Sequence, residues 1–191
     1  MSTSVRKYHL GDVPDRVLAA ARTLLDDQPA ADISVRELAR TAGVSHAAPY
    51  RHFGDRDGLL AALAARCFAE FIDEQRRAYD AAPPGNRLLD VGLAYVDYAT
   101  AHPNAFALVF DPTVSPADAP PESHQPLIAA HTELLVAAID DAVSARRLSA
   151  AVAPDDLGAA VWSAAHGLAG LIISGRIDRS RAPAVLAALL T

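Results

Sequence analysis

Between Ser34 and Phe53 the chain has room only for very short helices. Ser34-Val35-Arg36-Glu37 is a capping box, in which the Ser34 and Glu37 side chains each satisfy the other's backbone N–H and so start a helix. Val35, Leu38 and Ala39 face one way, and Arg36, Glu37 and Arg40 face the other. Gly43 stops the helix, as glycine does just past a C-terminus. Ser45 can cap another that runs to Phe53, where Gly54-Asp55 breaks the chain again. Two helices this short cannot stand alone, so they need neighbours to pack against.

The rest of the chain supplies helices. Pro14 opens a first one with an apolar stripe of Val17, Ala21, Leu24 and Leu25, ending at Gln28-Pro29. A long helix follows Asp55 to about Tyr79, with Leu60, Leu63, Ala64, Cys67, Phe68 and Phe71 on its apolar face. The run AAPPGN (81–86) is a linker, and a helix spans about 87–101. Asn104 can cap a brief helix, AFALVF. Residues 111–126 carry five prolines and no apolar period, which predicts a mobile loop. Helices over about 127–147, 154–174 and 182–190 complete the chain. No useful strand alternation and no internal repeat occurs, so the fold class is all-α.

The chain has 191 residues and is 51% hydrophobic, enough for a substantial core in one or two domains. No run of 18 apolar residues predicts a membrane span. The start, MSTSVRKYHLGD, lacks the apolar stretch of a secretory signal. The single cysteine, Cys67, reads as core filler in a reducing cytoplasm. Net charge is −6, but residues 1–60 carry eight basic and eight acidic side chains, so the acid excess falls entirely in the second part. Arg6 and Lys7 form a basic start, and Arg36, Arg40, Arg51 and Arg56 outnumber Glu37 and Asp55. A neutral, locally basic head on an acidic body is compatible with phosphate binding by the head.

Three N-terminal helices, the second and third joined by a glycine turn, form a helix-turn-helix pattern, which places its third helix in the DNA major groove. Ala39, Gly43, Val44 and Phe53 meet its packing demands, and Tyr50, Arg51, His52 and Arg56 offer donors. The run ISVRELARTAGVSHAAPYRHFGDRDGLLAALAARC resembles the DNA-binding head of the TetR (tetracycline-repressor-like) regulators, over about residues 15–65. WSAAHGLAGLIISGRI (162–177) is similar, over a shorter stretch, to the Trp-x-x-x-His-Gly variant of that family's regulatory domain. The resemblance implies a DNA-binding head at 1–56 and a helical bundle for ligand binding and dimerisation at 57–191. It implies that Arg36 reaches a base or phosphate, that His46, Ala47 and Ala48 face bases behind Ser45, that Tyr50 and His52 touch phosphates, and that Arg56 clamps one. Arg51 is a further candidate. Plainer readings stay open: Tyr50 as a packing aromatic, Arg40 and Arg51 as solvated charges, His52 as a helix cap.

The stretch GVSHAAPYRHF departs from the family, which often has leucine at Pro49 and Thr or Ser at Ala48. With Ser45 as N-cap, Pro49 sits at the fourth helical position, forfeits only the bond to the Ser45 carbonyl and packs inward beside Phe53. Ala47 and Ala48 offer only methyl contacts, which leaves hydrogen-bonded readout to His46 and Arg36.

In the body, Phe68, Phe71, Tyr95, Tyr98, Phe106, Phe110 and Trp162 could line an aromatic ligand pocket, with His131 or His166 as its polar group, or could be plain core. The stripes Leu157, Val161, Leu168, Ile172 and Val185, Leu186, Leu189 could pair across a two-fold axis, helped by Gly167 and Gly170, or fill the monomer core. No metal-ligand spacing, catalytic constellation or phosphate-binding glycine loop is present, so no metal, cofactor or catalysis is expected. The resulting expectation is a cytoplasmic homodimeric regulator, most simply a repressor released from palindromic double-stranded operator DNA by a small molecule. A helical small-molecule enzyme or carrier using Trp162 and His166, and a helical protein-interaction module, are the alternatives.

Overall fold

The computed structural model describes residues 13–149 and 151–190; Arg6 and Lys7 lie outside them. Among the described residues there are nine α-helices and no strand. They are α1 (Val13–Asp27), α2 (Val35–Thr41), α3 (Ala48–Phe53), α4 (Arg56–Ala81), α5 (Arg87–Ala101), α6 (Pro103–Val109), α7 (Gln125–Ser144), α8 (Pro154–Ile173) and α9 (Ala182–Ala187).

The local signals set most of these bounds. Val17, Ala21 and Leu25 of α1 are buried, as the stripe requires. Ser34 Oγ accepts from Glu37 N at 3.3 Å, but the Glu37 carboxylate lies 3.9 Å from Arg40, so only half the capping box is bonded as expected. After α2, Gly43 N bonds the Arg40 carbonyl and Val44 N the Ala39 carbonyl. That is a Schellman ending, and it needs the left-handed φ of 63° that Gly43 supplies. Asp55 caps α4 by accepting from Gly58 N at 2.8 Å. Asn104 does not cap α6; its side chain donates to the Leu25 carbonyl, 2.8 Å away, and ties α6 to α1.

α4 is the spine. It packs along α5 and also meets α1, α3, α6 and α7. One continuous core runs from Val17 and Leu38, through Leu63, Cys67 and Phe71, to Leu168 and Leu186, and so crosses the expected boundary at 56/57. Arg22 reinforces the join by bonding Glu70 of α4 at 2.8 Å and Asp26 at 2.7 Å. A smaller cluster of Leu88, Val91, Ala138, Ile139 and Ala142 closes the far end between α5 and α7.

Two expectations are corrected. Residues 111–126 are not a free loop but a bonded segment folded onto the body. Asp111 Oδ1 accepts from Thr113 N and Oγ1, and the Asp111 carbonyl from Val114 and Ser115 N. His124, buried, then fastens the segment, with Nδ1 2.9 Å from Ser115 Oγ and Nε2 2.8 Å from the Ala61 carbonyl of α4. The second correction concerns the apolar stripes. Leu168 and Leu186 are buried, Ile172 and Val185 pack on the main core, and Leu157 and Val161 pack on the smaller cluster, while Leu189 alone of the two stripes stays exposed. The outward face of α8 instead shows Ser163, Gly167, Gly170, Leu171 and Ile173. α8 is also, among the described residues, the one helix with the length and mean hydropathy (1.3) of a membrane span; here it lies against α5, α7 and α9.

Candidate nucleic-acid interface and ligand site

The turn between α2 and α3 is held from behind. Arg16, on α1, donates through Nη2 to the Ala42 carbonyl at 2.6 Å and the Gly43 carbonyl at 3.0 Å. Nothing local in the sequence marks Arg16, because its partners lie 26 and 27 residues away. A Cβ at Gly43 would come within 2.9 Å of the same guanidinium nitrogen.

α3 begins at Ala48, not at Ser45, and Ala47 occupies its N-cap position without a side-chain cap bond. The Ser45 carbonyl accepts from Ala48 N at 2.9 Å in a tight turn. Pro49 therefore sits at the second helical position, not the fourth. The first turn's N–H groups have no partner inside a helix anyway, so its missing N–H forfeits nothing. Pro49 and Ala48 are both buried. Ala48 is thus removed from the base-facing set, because its methyl packs inward. Ser45, His46, Ala47, Tyr50, Arg51 and His52 are exposed, Tyr50 at 52%, so the reading of Tyr50 as a packing aromatic fails for this chain. Arg36 and Arg40 are exposed on α2.

Arg56 is also corrected. Its Nη2 donates to the Ala30 and Ala31 carbonyls at 2.8 and 3.0 Å, so this group braces the α1–α2 connection.

The expected ligand residues divide. Phe71, Tyr98 and Phe106 are buried among themselves in edge-on contacts, Phe71 and Tyr98 with centroids 5.2 Å apart and Phe71 and Phe106 6.2 Å. Tyr98 Oη donates to the Cys67 carbonyl at 3.0 Å. These three are core: they are buried and line neither recess described below. Tyr95 is buried and supports its neighbours. Trp162 Nε1 donates to Tyr95 Oη at 3.2 Å, and Tyr95 Oη lies 2.8 Å from His166 Nδ1. Burial raises the Tyr95 phenol above its usual range, so it keeps its proton and can donate it to His166 when that ring is protonated on Nε2. Burial lowers the His166 pKa, which suits that accepting, neutral ring.

Phe110 and Trp162 do reach open space. They line a recess of about 430 Å³ with Phe68, Val109, Ile128, His131 and Leu135, roofed by Pro112, Pro116 and Pro120 of the folded segment. Burial pushes the His131 imidazole down to about 4. A second, wider recess of about 450 Å³ lies on the other side of Phe110 and Trp162 and is bounded by Ser163, His166 and Gly167. Sequence reading missed the prolines as walls and His124 as the residue that fastens them, since a proline-rich stretch gives no periodic signal.

Two family models match the chain. Residues 17–63 match the family model described as bacterial regulatory proteins, tetR family, and residues 88–191 match that of a tetracyclin repressor-like, C-terminal domain. A protein of unknown function from Rhodococcus sp. RHA1 has a solved structure with 31% identity and a TM-score of 0.79, covering 96% of this chain and 94% of that one. The HTH-type transcriptional regulator Rv1816 of Mycobacterium tuberculosis is 29% identical over 110 residues, which cover 56% of this chain and 47% of the relative, so the chain spans about half the length of the curated relative it matches. The regulator FadR of Bacillus subtilis, solved in complex with stearoyl-CoA, shares the fold at a TM-score of 0.71 and 14% identity, covering 93% of this chain and 97% of that one.

Proposed function

Because the chain belongs to the tetracycline-repressor-like family of bacterial regulators, we propose that it is a cytoplasmic, homodimeric repressor that binds double-stranded operator DNA through α3 and releases it when a small molecule occupies the body. The observation that carries this reading is the pairing of two features on one helix. The N-terminal half of α4 packs under α3, and the same helix supplies Phe68 to the 430 Å³ recess and the Ala61 carbonyl to His124. A molecule that spreads the walls of the recess therefore pulls on the element that carries the head, which couples the two sites.

Arg36, His46, Ala47, Tyr50, Arg51 and His52 are the residues we assign to the operator, with Ser45 in the turn before α3. Homodimerisation fits the outward face of α8, an apolar helix of which only 17% is buried within one copy. A two-fold pair of heads implies a palindromic site.

The test is a gel shift with the DNA upstream of the chain's own gene. A shift that weakens steeply with salt supports the reading, as phosphate contacts require; no salt-sensitive shift with any upstream fragment refutes it. The enzyme or carrier alternative has no observation of its own beyond the hydrogen bonds joining Trp162, Tyr95 and His166.

A further inference from the structure

The polar atoms facing the 430 Å³ recess have their hydrogen-bonding capacity partly committed, and what is left over describes a ligand. The His124 Nε2 atom faces a carbonyl, which can only accept, so Nε2 carries the proton. Nδ1 of the neutral ring then accepts, and the proton it accepts is that of Ser115 Oγ, 2.9 Å away. Thr132 Oγ1 donates its own proton back to the Ile128 carbonyl at 2.9 Å. Both hydroxyls on the recess therefore present lone pairs and no proton. The third polar group, His131, packs against the Phe68 and Phe71 rings, 5.7 and 5.6 Å from their centroids; burial keeps it neutral at pH 7, so it brings one lone pair and one N–H, and a hydroxyl, which both donates and accepts, can meet all three groups.

The charge balance points the same way. No Lys, Arg, Asp or Glu lines this recess. The segment that roofs it, residues 111–126, carries Asp111, Asp118 and Glu122 and no Lys or Arg, so its charge disfavours anions. An ionised group inside would lose its hydration with no partner of opposite sign. The walls are flat: two aromatic rings, Phe110 and Trp162 with centroids 6.3 Å apart, and three prolines opposite. Such faces suit edge-on and offset contact with another ring.

We propose that the recess takes an uncharged, largely aromatic molecule whose polar group is a hydroxyl that donates a hydrogen bond to this acceptor-rich wall. The proposal rests on the sensing role given above and adds the chemical class of the effector. It excludes carboxylates and coenzyme A thioesters, whose phosphates and carboxylates would meet no cation here.

The test uses the full chain and three probes of one skeleton: 4-phenylphenol, 4-methoxybiphenyl and biphenyl-4-carboxylate. Trp162 is the only tryptophan and lines the recess, so its fluorescence reports occupancy directly; calorimetry gives the affinities. The phenol is expected to bind at least about tenfold tighter than the carboxylate and several-fold tighter than the methyl ether. Thr132→Val and His131→Leu should erase the advantage of phenol over ether while the ether still binds, a change that misfolding would not produce. Carboxylate binding as tight as the phenol overturns the charge assignment. Ether binding as tight as the phenol overturns the donor assignment. No binding of any probe up to about 1 mM overturns the class altogether. Operator release is followed in the same titration: phenol that binds without releasing DNA supports the class and refutes the sensing role, whereas carboxylate that binds and releases DNA does the reverse.

Discussion

At the scale of single residues, four arginines near the head have distinct roles despite their common charge. Arg16 holds two carbonyls of the turn, and Arg56 holds two carbonyls of the α1–α2 connection. Arg36 and Arg51 are exposed. Arg16→Ala leaves the Ala42 and Gly43 carbonyls without their charged donor and should cost about 2 kcal/mol. That lowers Tm by roughly 4–8 °C in a thermal melt. Arg56→Ala should likewise lower Tm and leave the salt dependence of operator binding unchanged. If Arg56 clamped a phosphate, the slope would fall by about one. Arg36→Ala should do the opposite, losing about 1–3 kcal/mol of operator affinity in an anisotropy titration with no change in Tm. Unchanged affinity would remove Arg36 from the interface.

At the scale of elements, α8 and the 111–126 segment carry the function that periodicity did not place. The apolar stripe on α8 points into its own chain, because Leu168 and its neighbours have α5 to pack against. What faces out is small: Gly167 and Gly170 have no atom within 4 Å of where a Cβ would stand. A large side chain there fits a single copy but blocks close approach of a second. Gly167→Arg should therefore keep the helical melt of the parent and shift sedimentation toward the monomer. A variant that stays fully dimeric would move the interface elsewhere. In the folded segment, His124→Leu keeps roughly the volume but removes the ring's bonds to Ser115 and to the Ala61 carbonyl of α4. Faster amide exchange over 111–126 and the first turns of α4 is the expected result in hydrogen-exchange mass spectrometry.

For the whole molecule, acid should destabilise the body before it reaches the carboxylates. His131 titrates near 4 when folded and near its ordinary value of 6.5 when unfolded, because burial disfavours the charged ring. Between those values the unfolded chain binds a proton that the folded chain refuses, so stability falls as pH drops from about 6.5 toward 4. The loss from His131 is on the order of 3 kcal/mol, and His166, shifted the same way, adds to it. Asp26 and Asp111 are held below the usual carboxylate range by their hydrogen bonds, so their contributions are lost only further down. Melts at pH 7 and 4.5 should differ, and His131→Leu should shrink the difference; an unchanged gap would assign the acid sensitivity elsewhere.

The sequence by itself determined the helices and the turn. Caps, glycines and 3.6-residue stripes act within a few positions of themselves, so α1, α2, α5 and the Schellman ending at Gly43 were legible residue by residue. It also marked α3 as the exposed, aromatic-basic element, although Ala48 turned inward and Pro49 moved two positions toward the helix start. Only the tertiary structure decided which apolar face of α8 is core, which aromatics surround a recess and which merely fill space. It alone showed Arg16 holding the turn from α1 and His124 turning a proline-rich stretch into a wall. Those outcomes depend on groups far apart in the chain whose carbonyls and ring nitrogens meet only after the helices pack, and no local pattern encodes a partner at that distance.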